Sequence, residues 1–179
     1  MNAAIIVISA RTEDVDADTR AAIIQVCIAA HREDDFSHLF SYIPSGGLHF
    51  LAYQEQALVG HAVVTTRWLQ HNDQPILRTA YVDAVATLPE YQNHGVGSTL
   101  MQRLASEIDE YEIACLETER TSFYARLGWQ AWRGTLAGRK ESELIPTPNQ
   151  TGIMILTTPK TPPLDLDGSL TIEYDGRFW

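Results

Sequence analysis

Apolar positions recur along the chain with two periods, and the switches between them predict the elements. Ile5 to Ser9 is an apolar run that reads as a strand. Asp16-Ala17-Asp18-Thr19 supplies N-cap chemistry, and Ala22, Ile23, Val26, Cys27 and Ala30 follow at helical spacing, which predicts a helix to about His31. Beyond the acidic stretch Arg32-Glu33-Asp34-Asp35-Phe36 and a break at Pro44-Ser45-Gly46-Gly47, Leu48 to Tyr53 and Ala57 to Thr66 read as a hairpin. A polar connection from Arg67 to Pro75 then leads to a strand from Leu77 to Leu88. Leu100, Met101, Leu104 and Ile108 mark one face of an amphipathic helix from about Gly97 to Ile108. Ile113 to Leu116 is a short buried strand, Ser122 to Leu127 a helix stopped by Gly128, and Trp129 to Arg133 another strand. Gly134 to Thr151 is polar and carries Pro146 and Pro148, so it reads as a loop before the strand Ile153 to Thr157. Pro159, Pro162 and Pro163 stiffen a linker, and Leu170 to Trp179 alternates at first and ends in aromatics that imply docking.

A chain of 179 residues can bury roughly 70% of its unfolded surface without a metal or disulfide scaffold. Residues 1–179 are expected to form a single domain of α/β (α+β) class, with 158–179 a docked tail, and no metal site is expected. The two cysteines, Cys27 and Cys115, lie in apolar runs and read as small buried hydrophobes, consistent with a reducing, cytoplasmic setting. Met1 to Ile8 lacks the basic start and cleavage site of a signal peptide, and its apolar run is too short to span a membrane. A formal net charge of -10 disfavours nucleic acid and anionic membrane as partners. It suits a cationic ligand, although acidic soluble proteins are common.

The segment that carries chemistry is the strand from Leu77 followed by Pro89-Glu90-Tyr91-Gln92-Asn93-His94-Gly95-Val96-Gly97-Ser98 and an amphipathic helix. Backbone N–H groups at a helix N-terminus can hold a pyrophosphate, and Gly95 and Gly97 allow close approach. The glycine spacing alone is better read as a tight turn before a helix. A Rossmann fingerprint and a Walker loop are both absent.

Gln92-Asn93-His94-Gly95-Val96-Gly97 resembles the Gln/Arg-x-x-Gly-x-Gly/Ala loop of the GNAT superfamily of N-acetyltransferases. Some thirty residues later, Phe123-Tyr124-Ala125-Arg126-Leu127-Gly128-Trp129 resembles its second landmark. The resemblance implies a GNAT fold, a mixed and mostly antiparallel sheet flanked by helices and splayed near Val85. It also implies acetyl-CoA as cofactor, with CoA as product. The pantetheine arm would lie along Val85, Ala86 and Thr87, and the pyrophosphate on Gln92, Asn93, His94, Gly95, Val96, Gly97 and Ser98. His94 reads as well as a plain loop histidine. Tyr124 aligns with the family's general acid, with a core aromatic as the other reading. Asp83 stands where related enzymes place a base acting through water; its other reading is a structural ion pair.

Within the superfamily, Tyr81-Val82-Asp83-Ala84-Val85-Ala86, the Tyr124 block, Asp35-Phe36 and the aromatic ending are similar to the aminoglycoside 2'-N-acetyltransferases. That similarity implies a small-molecule amine substrate bound by Asp35, Phe36, Asp83, Arg177, Phe178 and Trp179, and admits a homodimer. The chain departs from that subfamily in its pyrophosphate loop and in lacking three acids. One of these lies just before the terminal aromatics, where Arg177 stands instead. Arg177 suits an aminoglycoside bearing an acidic group, such as kasugamycin, or it could be a rim residue bonded to Asp175 or Glu173. The alternatives are a GNAT enzyme acting on a polyamine, an amino acid or a protein N-terminus, and a catalytically silent acyl-CoA-binding module.

Overall fold

The computed structural model describes residues 4–179, so the reading of Met1 to Ala3 lies outside the described residues. The chain divides into two compact units, one formed by residues up to Thr65 with Val82–Glu107, the other by Thr66–Tyr81 with Ile108–Trp179.

In the first unit, β1 (Ile5–Arg11) pairs antiparallel with β2 (Leu48–Gln54), which pairs antiparallel with the start of β3 (Ala57–His71). β3 neighbours β4 (Leu77–Thr87), and both strands run from one unit into the other. Helix α1 (Ala17–His31) starts where predicted, because the Thr19 N–H donates to the Asp16 carboxylate at 2.8 Å. Its Ile23, Val26 and Cys27 pack with Leu39 of the short α2 (Leu39–Tyr42) and with Leu51, Val63, Ala84 and Ala86 of the sheet. The amphipathic helix α3 spans Val96–Ala105 and buries Leu100, Met101 and Leu104, as the apolar stripe requires.

In the second unit, β5 (Ile113–Glu117) runs parallel to β4 over Thr79–Tyr81, and the short α4 (Thr121–Ala125) follows it. Gly128 closes that helix at φ +92°, the left-handed stop expected of it. Next come β6 (Gln130–Ala131), β7 (Leu136–Lys140), β8 (Glu143–Pro146), β9 (Ile153–Thr157) and β10 (Leu170–Glu173). β9 is antiparallel to β5 and β6; β10 lies between β3, antiparallel, and β7, parallel. The sheet is thus mixed and mostly antiparallel, with helices flanking it.

Two expectations are corrected. The polar connection after Thr66 is strand as far as His71: Arg67, Leu69 and His71 face inward and are buried, while Trp68 is exposed. The Arg67 guanidinium tolerates that position because it lies between the rings of Tyr81 and Tyr174, 3.6 and 4.1 Å from their centroids, and donates to Phe178 O. The loop from Gly134 to Thr151 contains the β7–β8 hairpin. β8 has no buried residue, so no apolar alternation could reveal it, and Pro146 ends it at the sheet margin.

Both cysteines are buried free thiols, one in each unit, and burial pushes each up to about 12; the Asp83 charge adds to the effect at Cys27. Among the described residues no helix is long and apolar enough to cross a membrane, and no group of three metal-ligating side chains occurs.

Candidate active site

The first unit holds most of the predicted residues. Asp83, Val85, Ala86 and Thr87 occupy the end of β4, with Asp83, Val85 and Thr87 half-buried and Ala86 buried. Ala84 interrupts the strand at φ +49°, a left-handed conformation costing roughly 1–2 kcal/mol for a residue with a Cβ. The Asp83 carboxylate accepts the Ala84 N–H at 2.8 Å, so side chain and kink are locked together. The following carbonyl, Val85 O, accepts from His31 Nε2 at 3.0 Å, and the His31 ring stacks on Phe36 at 4.7 Å. Phe36 and the exposed Asp35, in a 3-10 turn, are thereby brought beside β4.

The loop after β4 is held at its start by Gln92, whose side-chain amide donates to Thr87 O at 3.1 Å. Asn93 takes φ +63°, and Gly95 takes φ +87° as the N-cap of α3, with nothing within 4 Å of where its Cβ would be. The first bond of the helix runs from Thr99 N to Gly95 O. Val96, Gly97 and Ser98 therefore present N–H groups that the helix does not use and that the cap, lacking a side chain, does not cover. Such a terminus accepts a phosphate oxygen. The exposed His94 stands at its rim.

The second unit holds the rest. Tyr124 is buried on α4, with Phe123 and Trp129 edge-on at 4.9 and 6.0 Å. Burial pushes its phenol up to about 12, with Arg120 opposing the rise, so it keeps its proton throughout the working range. At the end of the chain Trp179 is buried and donates from Nε1 to Thr147 Oγ1 at 3.1 Å. The Phe178 ring covers Gly138, where a Cβ would come within 2.2 Å of it. Gly138→Ala is expected to unseat Phe178 and cost about 2 kcal/mol, lowering Tm by about 5 °C in thermal unfolding. An unchanged Tm would mean that the ring is not seated there.

Arg177 bonds neither to Asp175 nor to Glu173. Its guanidinium pairs with Glu117 at 2.6 Å, and the other Glu117 oxygen accepts from Gln150 at 2.7 Å. Glu117 was not singled out in the sequence, where sixty positions separate it from Arg177. His31, His49 and His61 were also missed. The signal for the last two is a histidine inside each of two apolar strands, Leu48 to Tyr53 and Ala57 to Thr66.

Residues 45–131 match the family described as an acetyltransferase (GNAT) domain. That segment, just under half of the chain, is thus similar to GNAT acetyltransferase domains. An aminoglycoside 2'-N-acetyltransferase from Mycolicibacterium fortuitum is 29% identical over 94% of this chain and 89% of its own length. The chain is similar in fold to the N-acetyltransferase YhbS of Escherichia coli, solved in complex with CoA: TM-score 0.65, 13% identity, 100% of this chain and 97% of that one. It also resembles Eis1 of Mycobacterium abscessus, with TM-score 0.59, 19% identity and 74% of this chain covered. The chain spans about a third of that protein, 32% of its length.

Proposed function

We propose that the chain transfers the acetyl group of acetyl-CoA to an amino group, the 2'-amino group, of an aminoglycoside. The observation that carries the substrate class is the likeness to the M. fortuitum aminoglycoside 2'-N-acetyltransferase over nearly the full length of both chains. The acidic balance of the chain, a net charge of -10, suits such a polycation.

The residues fit acetyl-CoA. Uncovered amides at Val96, Gly97 and Ser98 would take the pyrophosphate, and the backbone of Val85 to Thr87 would pair with the pantetheine arm. Because Val85 O already accepts from His31, the groups on Val85 and Thr87 share this edge with a side chain. When bound, the thioester supplies an activated acetyl group. Asp83 would take the proton of the attacking amine, through water because an aspartate is short, and Tyr124 would donate to the departing sulfur. Asp35, Phe36 and Phe178 would contact the sugar, whereas Trp179, buried and bonded to Thr147, would support Phe178 from beneath rather than offer the sugar an exposed ring.

Arg177 refines the substrate. A drug with an acidic group, kasugamycin being one, would receive its guanidinium in competition with Glu117. A thiol-release assay with acetyl-CoA and gentamicin, kasugamycin or spermidine tests the reading. Turnover of either drug, but not of spermidine, supports it. Kasugamycin turnover that falls at least tenfold in Arg177→Ala supports the refinement, and turnover of gentamicin alone refutes it. Spermidine as the sole substrate would make the chain a polyamine enzyme. CoA binding without any turnover would favour a silent acyl-CoA module.

A further inference from the structure

A file of hydrogen-bonded side chains crosses the core of the first unit and ends on β4. Thr12 Oγ1 lies 3.0 Å from His49 Nε2, His49 Nδ1 lies 2.9 Å from His61 Nε2, and His61 Nδ1 lies 2.9 Å from Ala84 O. Both rings are completely buried. The carbonyl at the end fixes every proton. Ala84 O can only accept, so His61 carries its proton on Nδ1 and offers the Nε2 lone pair to His49 Nδ1–H. His49 Nε2 must then accept from the Thr12 hydroxyl. The other acceptor within reach of that hydroxyl, Gly47 O, is farther, at 3.2 Å, and also takes the Thr12 N–H at 2.9 Å. A second proton on either ring would set N–H against N–H or against the threonine hydroxyl proton.

The groups packed around the file leave this polarity intact. Phe40 of α2 stacks on His49 at 5.4 Å, and Arg20 of α1 lies over the Phe40 ring at 4.8 Å and donates to Thr12 O at 2.7 Å. Cys27 Sγ approaches His61 Nδ1 at 3.7 Å and Ala84 O at 3.9 Å, and Asp83 is the nearest carboxylate on β4. A carbonyl terminus passes no proton onward, so the file is an anchor. What it anchors is the left-handed Ala84, whose N–H is held by Asp83 and whose C=O is held by His61. The peptide groups on either side of Ala84 fix the directions in which Asp83 and Val85 point.

The geometry points to His61 as a positioning residue for acetyl transfer, which holds the Ala84 kink and so aims Asp83 and the Val85 edge, while His49 and Thr12 fix the tautomer of its ring. The inference rests on the proposed roles of Asp83 and Val85. Two replacements of His61 separate aiming from packing. His61→Phe fills the space without a donor. His61→Asn keeps an N–H at the Nδ1 position for Ala84 O but cuts the link to His49.

Both variants should lose thermal stability. At a temperature where each is fully folded, His61→Phe should lower kcat about 30-fold, while His61→Asn should stay within about threefold of the parent. Equal kcat losses in the two variants, or a parental kcat in His61→Phe, would overturn the proposal. Nitrogen-15 NMR of the parent should place a proton on Nδ1 of both rings, and an Nε2–H tautomer at His61 would overturn it independently of activity. If the parent acetylates no amine, the functional reading fails on its own. Hydrogen exchange then decides the positioning role: the Val85 amide in His61→Phe should exchange at least tenfold faster than in His61→Asn, and equal rates refute it.

Discussion

Tyr124→Phe should lower kcat on the order of 100-fold while leaving the KM for acetyl-CoA within about twofold, because the substitution removes one hydroxyl and little packing. The ring keeps its edge-on contacts with Phe123 and Trp129, so the fold should not respond. The expected size follows from the phenol's environment. Burial pushes it up to about 12, whereas a free thiol sits near 8.5. Full proton transfer to a thiolate would run uphill, so in the proposed reaction Tyr124 would act by donating a strong hydrogen bond as charge builds on sulfur. It should never titrate within the working range, and the alkaline side of the kcat profile should show no ionisation attributable to it. A variant with parental kcat would remove Tyr124 from the chemistry and leave it as a core aromatic.

Mild acid should unfold the chain. Burial, first of all, pushes His49 down to about 4 and His61 down to about 3, from an ordinary 6.5; Arg20 adds to the effect at His49, and His49 to that at His61. Folded values below unfolded values mean that the unfolded chain binds protons the native state refuses. Stability is therefore complete above pH 6.5 and is lost as pH falls, at roughly 1 kcal/mol per pH unit for each ring. The loss from both rings continues to about pH 4 and from His61 alone to about pH 3, a total of several kcal/mol against a typical stability of 5–15 kcal/mol. Urea midpoints measured from pH 7.5 to 4 should fall steeply below 6.5, and His61→Asn should show about half the slope. Midpoints that stay level down to pH 5 would contradict two neutral buried rings.

The elements legible in the sequence are those whose buried positions are filled by apolar residues of their own. α1 and α3 announce themselves through apolar spacing and the Asp16 cap, and β2, β5 and β9 through apolar runs. β3 was cut short at Thr66 because two of the inward positions beyond it are Arg67 and His71, which sequence patterning counts as polar. Their burial depends on partners distant in sequence: Tyr174 for Arg67, and Trp132, edge-on at 5.5 Å, for His71. The turn from Gln92 to Ser98 that starts α3 was legible because its glycines and helix start are local features. The pairing of Arg177 with Glu117 was not, since either carboxylate nearer in sequence offered the same chemistry. Nor was the histidine file, whose members lie on three separate segments and meet only when β1, β2 and β3 assemble.

The chain has two cysteines, and the fold distributes them one to each compact unit, both buried and both held as thiols far above neutral pH. Alkylating and disulfide-exchange reagents react with thiolate, so the folded chain gives them nothing to label. During turnover the CoA set free is then the sole thiol such reagents count. In an idle sample the slow labelling of the protein becomes a clock for its openings, with Cys27 timing the first unit and Cys115 the second.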